Sequence, residues 1–251
     1  MDKRFEEVAR LLANAERVLV ITGAGVSVES GIPTFRGSSA AFPSGLTEEG
    51  IPFEEALSGP SFLRYPELSW KYFFQLERSL RGKHPNQAHK AIAGLETPTR
   101  RVCVATQNID GLHQRAGSRE VIELHGNLQR LRCTECAYSA DKTDFDGLPS
   151  LPLCPACGEV LRPDIVLYEE RLPDGALDRF ADEQARGFDL VFSIGTTSLF
   201  SYVVEPLLAA AREGIPTVEI NPEETPLSAA VWFRFAEPAG LTLQNLLTAM
   251  R

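Results

Sequence analysis

Two pairs of cysteines carry the most specific chemistry in this chain. Cys133-x-x-Cys136 and Cys154-x-x-Cys157, separated by residues 137–153, have the spacing at which two tight turns present four thiolates to one tetrahedral zinc ion. Four thiolates leave no open position for water, so the expected metal is structural, one per chain. The fifth cysteine, Cys103, falls inside an apolar run and reads as packing.

The other chemistry-bearing residues stand at the ends of apolar runs. Val18-Leu19-Val20-Ile21 leads into Thr22-Gly23-Ala24-Gly25 and Ser27, a Gly-x-Gly turn of the kind that lets backbone amides approach a phosphate, with the next helix's N-terminus behind them. Val28 occupies the place of the third glycine of a dinucleotide fingerprint, so the turn by itself does not specify one. The following Ser30-Gly31-Ile32-Pro33-Thr34-Phe35-Arg36-Gly37 suits a flap over a ligand, or a plain surface loop.

In Thr106-Gln107-Asn108-Ile109-Asp110-Gly111-Leu112-His113, Asn108 and Asp110 offer a donor and an acceptor to a carboxamide such as nicotinamide. An Asx turn capping the next helix has the same composition. Val121-Ile122-Glu123-Leu124 ends at His125-Gly126, the place of a general base with room beside it; a hydrogen-bonded structural histidine is the alternative. His84, His89 and His113 lack that strand-end position and read as structural. Gly195-Thr196-Thr197-Ser198 and Asn221 close two further runs, where small hydroxyls and an amide can bond phosphate and ribose or simply cap helices.

These residues need a scaffold that gathers strand ends. Apolar spacing over residues 5–15 predicts a helix, and strand-like runs follow at 17–21, 101–106, 121–124, 189–194 and 217–220, with helical stretches at 172–186 and 203–212. Several runs are almost continuously apolar, as parallel strands covered on both faces must be. The expected class is α/β: a Rossmann-like doubly wound parallel sheet built from residues 1–37, 83–126 and 166–251. The aromatic-rich segment 38–82 and the cysteine-bearing segment 127–165 break the pattern and are expected to form a smaller helical and zinc-binding domain.

Composition bounds the function. With 251 residues, 43% hydrophobic and 24% charged, the chain suits a globular protein with a sizeable core. A net charge of −9 opposes a nucleic-acid partner, which requires an excess of Lys and Arg. No apolar run reaches membrane-span length and the first residues lack a secretory core, so a cytoplasmic location without membrane association is expected.

Taken together and in this order, the glycine turn with its Ser-Gly-Ile-Pro-Thr-Phe-Arg-Gly run, Thr-Gln-Asn-Ile-Asp-Gly-Leu-His, His-Gly, both Cys-x-x-Cys pairs, Arg162-Pro163 with Val166, Gly-Thr-Thr-Ser and Asn221 resemble the sirtuin family. The resemblance runs from about residue 10 to the end. It implies an NAD-dependent protein-lysine deacylase that transfers the acyl group to ADP-ribose and releases nicotinamide. It also implies roles. Gly23, Ala24, Gly25, Ser27 and Arg36 would hold the pyrophosphate side of NAD, with Phe35 shielding the reacting sugar. Gln107, Asn108, Ile109 and Asp110 would line the nicotinamide and ribose pocket, and Gly195, Thr196, Thr197 and Asn221 the adenosine half. Asn108, Asp110 and His125 would be catalytic, His125 as the base toward ribose hydroxyls. Phe73, Leu76, Val166 and Tyr168 would meet the acyl-lysine protein or peptide. The chain would be a monomer or weak oligomer.

The sequence also departs from that family. Phe73 and Leu76 stand where members that prefer acidic acyl groups carry Tyr-x-x-Arg, so acetyl or longer apolar acyl groups are expected. Thr34 stands where many members have Asp, and Tyr168-Glu169-Glu170 replaces Phe-Gly-Glu, which alters a point of close backbone approach in the peptide cleft. Two other readings use the same residues: ADP-ribosyl transfer or NAD hydrolysis in one pocket, and a zinc-bearing module that only senses NAD.

Overall fold

Apolar runs buried on both faces become the central strands of a parallel sheet, which two shorter strands complete at its edges. The computed structural model describes residues 2–34 and 45–250; Phe35 and Arg36 lie outside them. After helix α1 (Lys3–Asn14) comes strand β1 (Arg17–Thr22). The strand leads into a 3-10 helix, Ala24–Ser30, rather than the α-helix such a turn commonly opens. Helices α2 (Phe53–Ala56), α3 (Gly59–Arg64), α4 (Pro66–Leu80) and α5 (Gln87–Gly94) precede β2 (Arg101–Thr106), α6 (Leu112–Arg115) and β3 (Glu120–Glu123).

Strands β4 (Gly126–Cys133), β5 (Ser139–Asp141) and β6 (Leu161–Ile165) form a separate antiparallel sheet in the order β5-β4-β6. The chain then returns through α7 (Asp174–Ala185), β7 (Leu190–Ile194), α8 (Ser201–Arg212), β8 (Thr217–Ile220), β9 (Phe233–Phe235) and α9 (Ala239–Ala249). The large sheet runs β3-β2-β1-β7-β8-β9, all parallel. This is the doubly wound order, with its direction reversing between β1 and β7, where open α/β sheets form a crevice for ligands.

Register places all the strand ends together. Thr22 pairs with both Thr106 and Ile194, and backbone bonds step outward from there: Gln107 N–H to the Thr22 carbonyl (3.0 Å), Gly23 N–H to Ile194 (3.1 Å), Gly195 N–H to Ile220 (3.0 Å) and Asn221 N–H to Phe235 (3.0 Å). Each expected site segment thus leaves the same edge of the sheet.

A second core lies outside the large sheet. Phe53, Phe62, Trp70, Phe73 and Leu76 from the helices pack with Leu128, Leu131, Phe145 and Leu161 from the cysteine-bearing segment. The Trp70 indole N–H donates to the Leu161 carbonyl at 2.8 Å, tying α4 to β6. No helix among the described residues is long and apolar enough to cross a membrane.

Candidate functional site

The reversal between β1 and β7 is closed by glycine. A Cβ on Gly25 would lie 2.7 Å from the Gly195 Cα and carbonyl oxygen, a contact that backbone cannot relieve by a rotamer change. The Gly25 amide donates to the Gly195 carbonyl at 2.8 Å. Gly25 is therefore not a free phosphate donor in this structure; its contribution is to let the two loops meet. Beside it opens a cavity of about 630 Å³, lined by Ala24, Gln107, Asn108, Ile109, His125, Thr196, Thr197 and Asn221, among others. Asn221 braces this wall, its Nδ2 donating to the Thr196 carbonyl at 2.8 Å.

Behind the cavity lies a buried polar chain. Asn108 Nδ2 donates to Ser27 Oγ (3.1 Å), and Ser27 donates to Asp110 Oδ2 (2.7 Å). Asp110 Oδ1 accepts the Leu112 amide (2.9 Å), so the Asx turn is present together with the ligand-facing cluster. Burial raises the Asp110 carboxyl pKa, against which the Leu112 and Ser27 bonds act. Asp110 and Ser27 also flank a smaller cavity with Ile32, Leu76 and Asn108.

His89 and His113 complete the interior. His89 caps α5 through Asn86, and His113 Nε2 lies 2.9 Å from Thr22 Oγ1; their rings meet at 4.8 Å. Burial depresses His89 to about 4 and His113 to about 3. Unfolded histidines titrate near 6.5, so the unfolded chain takes up protons below that pH while these imidazoles stay neutral. Stability is then complete above about pH 6.5 and falls as pH drops toward 4. For His89 the loss at pH 5 is on the order of 2 kcal/mol. Thermal melts between pH 7.5 and 5 should show this slope, and it should flatten in His89→Gln.

His125 sits where β3 hands over to β4. Its Nε2 lies 2.6 Å from the Tyr202 hydroxyl. Burial holds its pKa down near 4, with the Gln107 bond opposing, so the imidazole is neutral at pH 7 and able to accept a proton. The following Gly126 adopts a left-handed φ of 77° and pairs with Ile165; a Cβ there would fall 2.0 Å from the Asp164 carbonyl oxygen. The Val166 amide in turn donates to the His125 carbonyl at 3.0 Å. The small sheet therefore fixes the histidine.

The opposite wall is apolar. Leu57, Leu76, Ile109, Ile165, Val166, Leu167 and Tyr168 line it. Tyr168 bridges the helices, its N–H on the Leu57 carbonyl (3.0 Å) and its carbonyl on the Gly59 N–H (2.9 Å). Phe73 is wholly buried between Trp70 and Phe62 and does not reach the cavity; Leu76, one turn later, does. Glu169 keeps a left-handed φ of 65°, a conformation a glycine takes freely and a glutamate holds at a cost of about 1 kcal/mol. Glu170 explains how the turn persists: it accepts two bonds from buried Arg162 (2.6 and 2.9 Å) and one from the Leu167 amide (2.9 Å).

The four cysteine sulfurs lie within 4.8 Å of one another, Cys133 and Cys157 3.4 Å apart and Cys136 and Cys154 3.6 Å apart. A tetrahedron with zinc–sulfur bonds of about 2.3 Å has edges near this length, so the donor set fits one zinc with every position filled by thiolate. Sequence reasoning missed Tyr202, Phe200, Leu57 and Leu167 as cavity residues. Only the aromatic pair just beyond Gly-Thr-Thr-Ser hinted at the first two.

A parallel sheet in this order, with its cavity at the reversal and a closed four-thiolate site alongside, defines a dinucleotide-binding α/β protein with a structural metal module. Comparison narrows that class. The Sir2 family model matches residues 23–206, and the chain belongs to this family. The NAD-dependent protein deacylase 2 of Pseudomonas aeruginosa is 47% identical over 229 residues, covering 89% of this chain and 88% of that protein. A Sir2 homologue–NAD complex superposes with a TM-score of 0.86 at 35% identity, covering 98% of this chain and 95% of that one. A Sir2 mutant bound to deacetylated p53 peptide and 3′-O-acetyl ADP-ribose gives 0.83 at 28%, covering 97% of each.

Proposed function

We propose that the chain is an NAD-dependent protein-lysine deacylase. NAD supplies the ADP-ribose that receives the acyl group, with loss of nicotinamide; every other part of the chemistry falls to side chains. Ala24, Thr196, Thr197 and Asn221 bind and orient the dinucleotide at the sheet's reversal point, where Gly23 and Gly25 serve by letting their loop close on that of Gly195. Phe35 and Arg36 belong to the same proposal through the resemblance of their motif. Asn108, Asp110 and Ser27 form the buried donor and acceptor set for the nicotinamide end, and Gln107 lines the approach. His125, neutral and facing the cavity through Nε2, takes the proton from a ribose hydroxyl. The segments 38–82 and 127–165 act as one smaller lobe that supplies the acyl-lysine wall.

One observation carries the reading: a neutral imidazole, the Asn108 carboxamide and an apolar channel wall line a single cavity, with Ser27 and Asp110 bonded in a chain behind Asn108. The relatives named above are themselves NAD-dependent deacylases or Sir2 proteins holding NAD or a deacetylated peptide. Incubating the protein with NAD and an acetyl-lysine peptide should yield free lysine, nicotinamide and O-acetyl-ADP-ribose in equal amounts. Nicotinamide release that ignores the acylated peptide would point instead to NAD hydrolysis or ADP-ribosyl transfer.

The acyl group is uncharged. Leu76 presents methyl groups where a cation would be needed, and the described cavity-lining residues include Glu29, Glu169, Glu170 and Glu223 but no Lys or Arg. A succinyl or malonyl carboxylate would be buried there without a partner, a cost of several kcal/mol. Deacetylation should exceed desuccinylation by at least about a hundredfold in kcat/KM; desuccinylation as the faster reaction would refute this view of the wall.

A further inference from the structure

Tyr202 belongs to none of the motifs that define the site, yet its hydroxyl is seated on the nitrogen that the proposed chemistry needs. The phenol oxygen lies 2.6 Å from His125 Nε2 and accepts a bond from the Gln107 side-chain amide at 3.1 Å. A backbone interaction with Gln107 acts on the imidazole as well, favouring its protonated form. A phenol is the stronger donor and a neutral imidazole nitrogen the stronger acceptor, so Tyr202, which accepts from Gln107, donates its own proton to Nε2. Burial raises the Tyr202 pKa, with the Gln107 bond opposing, so the phenol keeps its proton near neutrality. Its ring is held by stacking on Phe200, centroids 5.5 Å apart and planes at 14°.

A neutral imidazole has a single acceptor lone pair. While Tyr202 occupies it, a ribose hydroxyl cannot. We infer that Tyr202 is a positioning residue that caps the base: it holds His125 in the Nε2-acceptor tautomer in the empty enzyme and yields that nitrogen to the ribose hydroxyl of the bound nucleotide. The inference rests on the role given to His125 under the deacylase reading. In the exchange one hydrogen bond to Nε2 is broken and another made, with no net proton transfer. Binding the ribose therefore carries the cost of displacing the phenol. The cap also keeps the base from bonding water in the empty cavity.

Tyr202→Phe preserves the ring and its stack on Phe200 and removes only the cap. Thermal melting should confirm that the variant is folded. Its Kd for ADP-ribose and its KM for NAD should fall by about two- to tenfold, the worth of one displaced hydrogen bond, with the change carried by KM rather than kcat. In the free protein, the His125 Nε2 nitrogen resonance should differ between wild type and variant. With ADP-ribose bound, the two spectra should converge.

A tenfold fall in kcat at constant KM would overturn the inference, because the phenol would then stay in place and pass the proton. Unchanged Kd, KM and His125 resonance would overturn it equally. Should wild-type protein fail to deacylate any peptide, the deacylase reading falls by itself. ADP-ribose affinity and the His125 resonance still decide whether the cap exists.

Discussion

His125→Ala should lower NAD-dependent deacetylation by about 10²- to 10⁴-fold, the usual contribution of a positioned general base, equivalent to roughly 3–5 kcal/mol of barrier. The expected loss is in turnover. Affinity for ADP-ribose should change by only a few fold, because the loops that meet at Gly25 and Gly195 and the Asn221 brace are built without the imidazole. The fold should also survive. His125 bonds Tyr202 at the wall of an open cavity, where water can replace the ring. Steady-state rates, ADP-ribose titration and a melting curve on the same preparation separate these effects. A variant that deacetylates at the wild-type rate would remove His125 from the mechanism. One that cannot bind ADP-ribose would make it a structural residue instead.

Loss of the metal should be as severe, by a different route. Either prolonged chelation or Cys154→Ala leaves thiolates or thiols that no longer close a tetrahedron, and zinc in comparable peptide sites contributes on the order of 10 kcal/mol to folding. That is comparable to the whole stability of an ordinary domain. In the sheet β5-β4-β6 only β4 is long, β5 spans just Ser139–Asp141, and the sheet's apolar residues find their core against the helices, so the sheet should unfold. Trp70, buried and bonded to Leu161, reports the event through a red shift of its fluorescence.

Activity should vanish with it, although no cysteine approaches the cavity. Strand β4 begins at Gly126, directly after His125, and the amide after β6, that of Val166, holds the His125 carbonyl. An enzyme that kept full deacetylation and unshifted Trp70 emission after zinc removal would contradict this linkage. Restoring zinc to chelated protein should recover both signals together.

Much of this protein was legible before any coordinates. Strands Arg101–Thr106 and Thr217–Ile220 coincide with the apolar runs, β1 and β7 differ from theirs by a residue at one end, and β3 is displaced by one residue at both ends. Other elements were not legible, among them β9, α5 and α9. Strand β9 has only three residues and leans on β8 for its definition, α5 is eight residues long, and α9 is apolar on several faces, without the alternation that marks a surface helix. Phe73 misled for a related reason: position in a motif does not say which side of a helix faces the ligand, and packing against Trp70 and Phe62 turned it inward.

The sequence alone determined what is local. Cys-x-x-Cys spacing sets two thiolates within reach because only two residues separate them, and an apolar run followed by glycine ends a strand wherever that strand is placed. Tertiary structure decided what depends on register between distant segments. It brought Gly25 against Gly195 so that an amide expected to bind phosphate bonds a carbonyl instead, and it used Gly126 for contact with Asp164 rather than for substrate room. It also set the Tyr202 hydroxyl on His125 Nε2, across a separation of 77 residues. No pattern along the chain encodes such contacts, because they follow from how whole strands and helices pack, and a shift of one residue in pairing would abolish them.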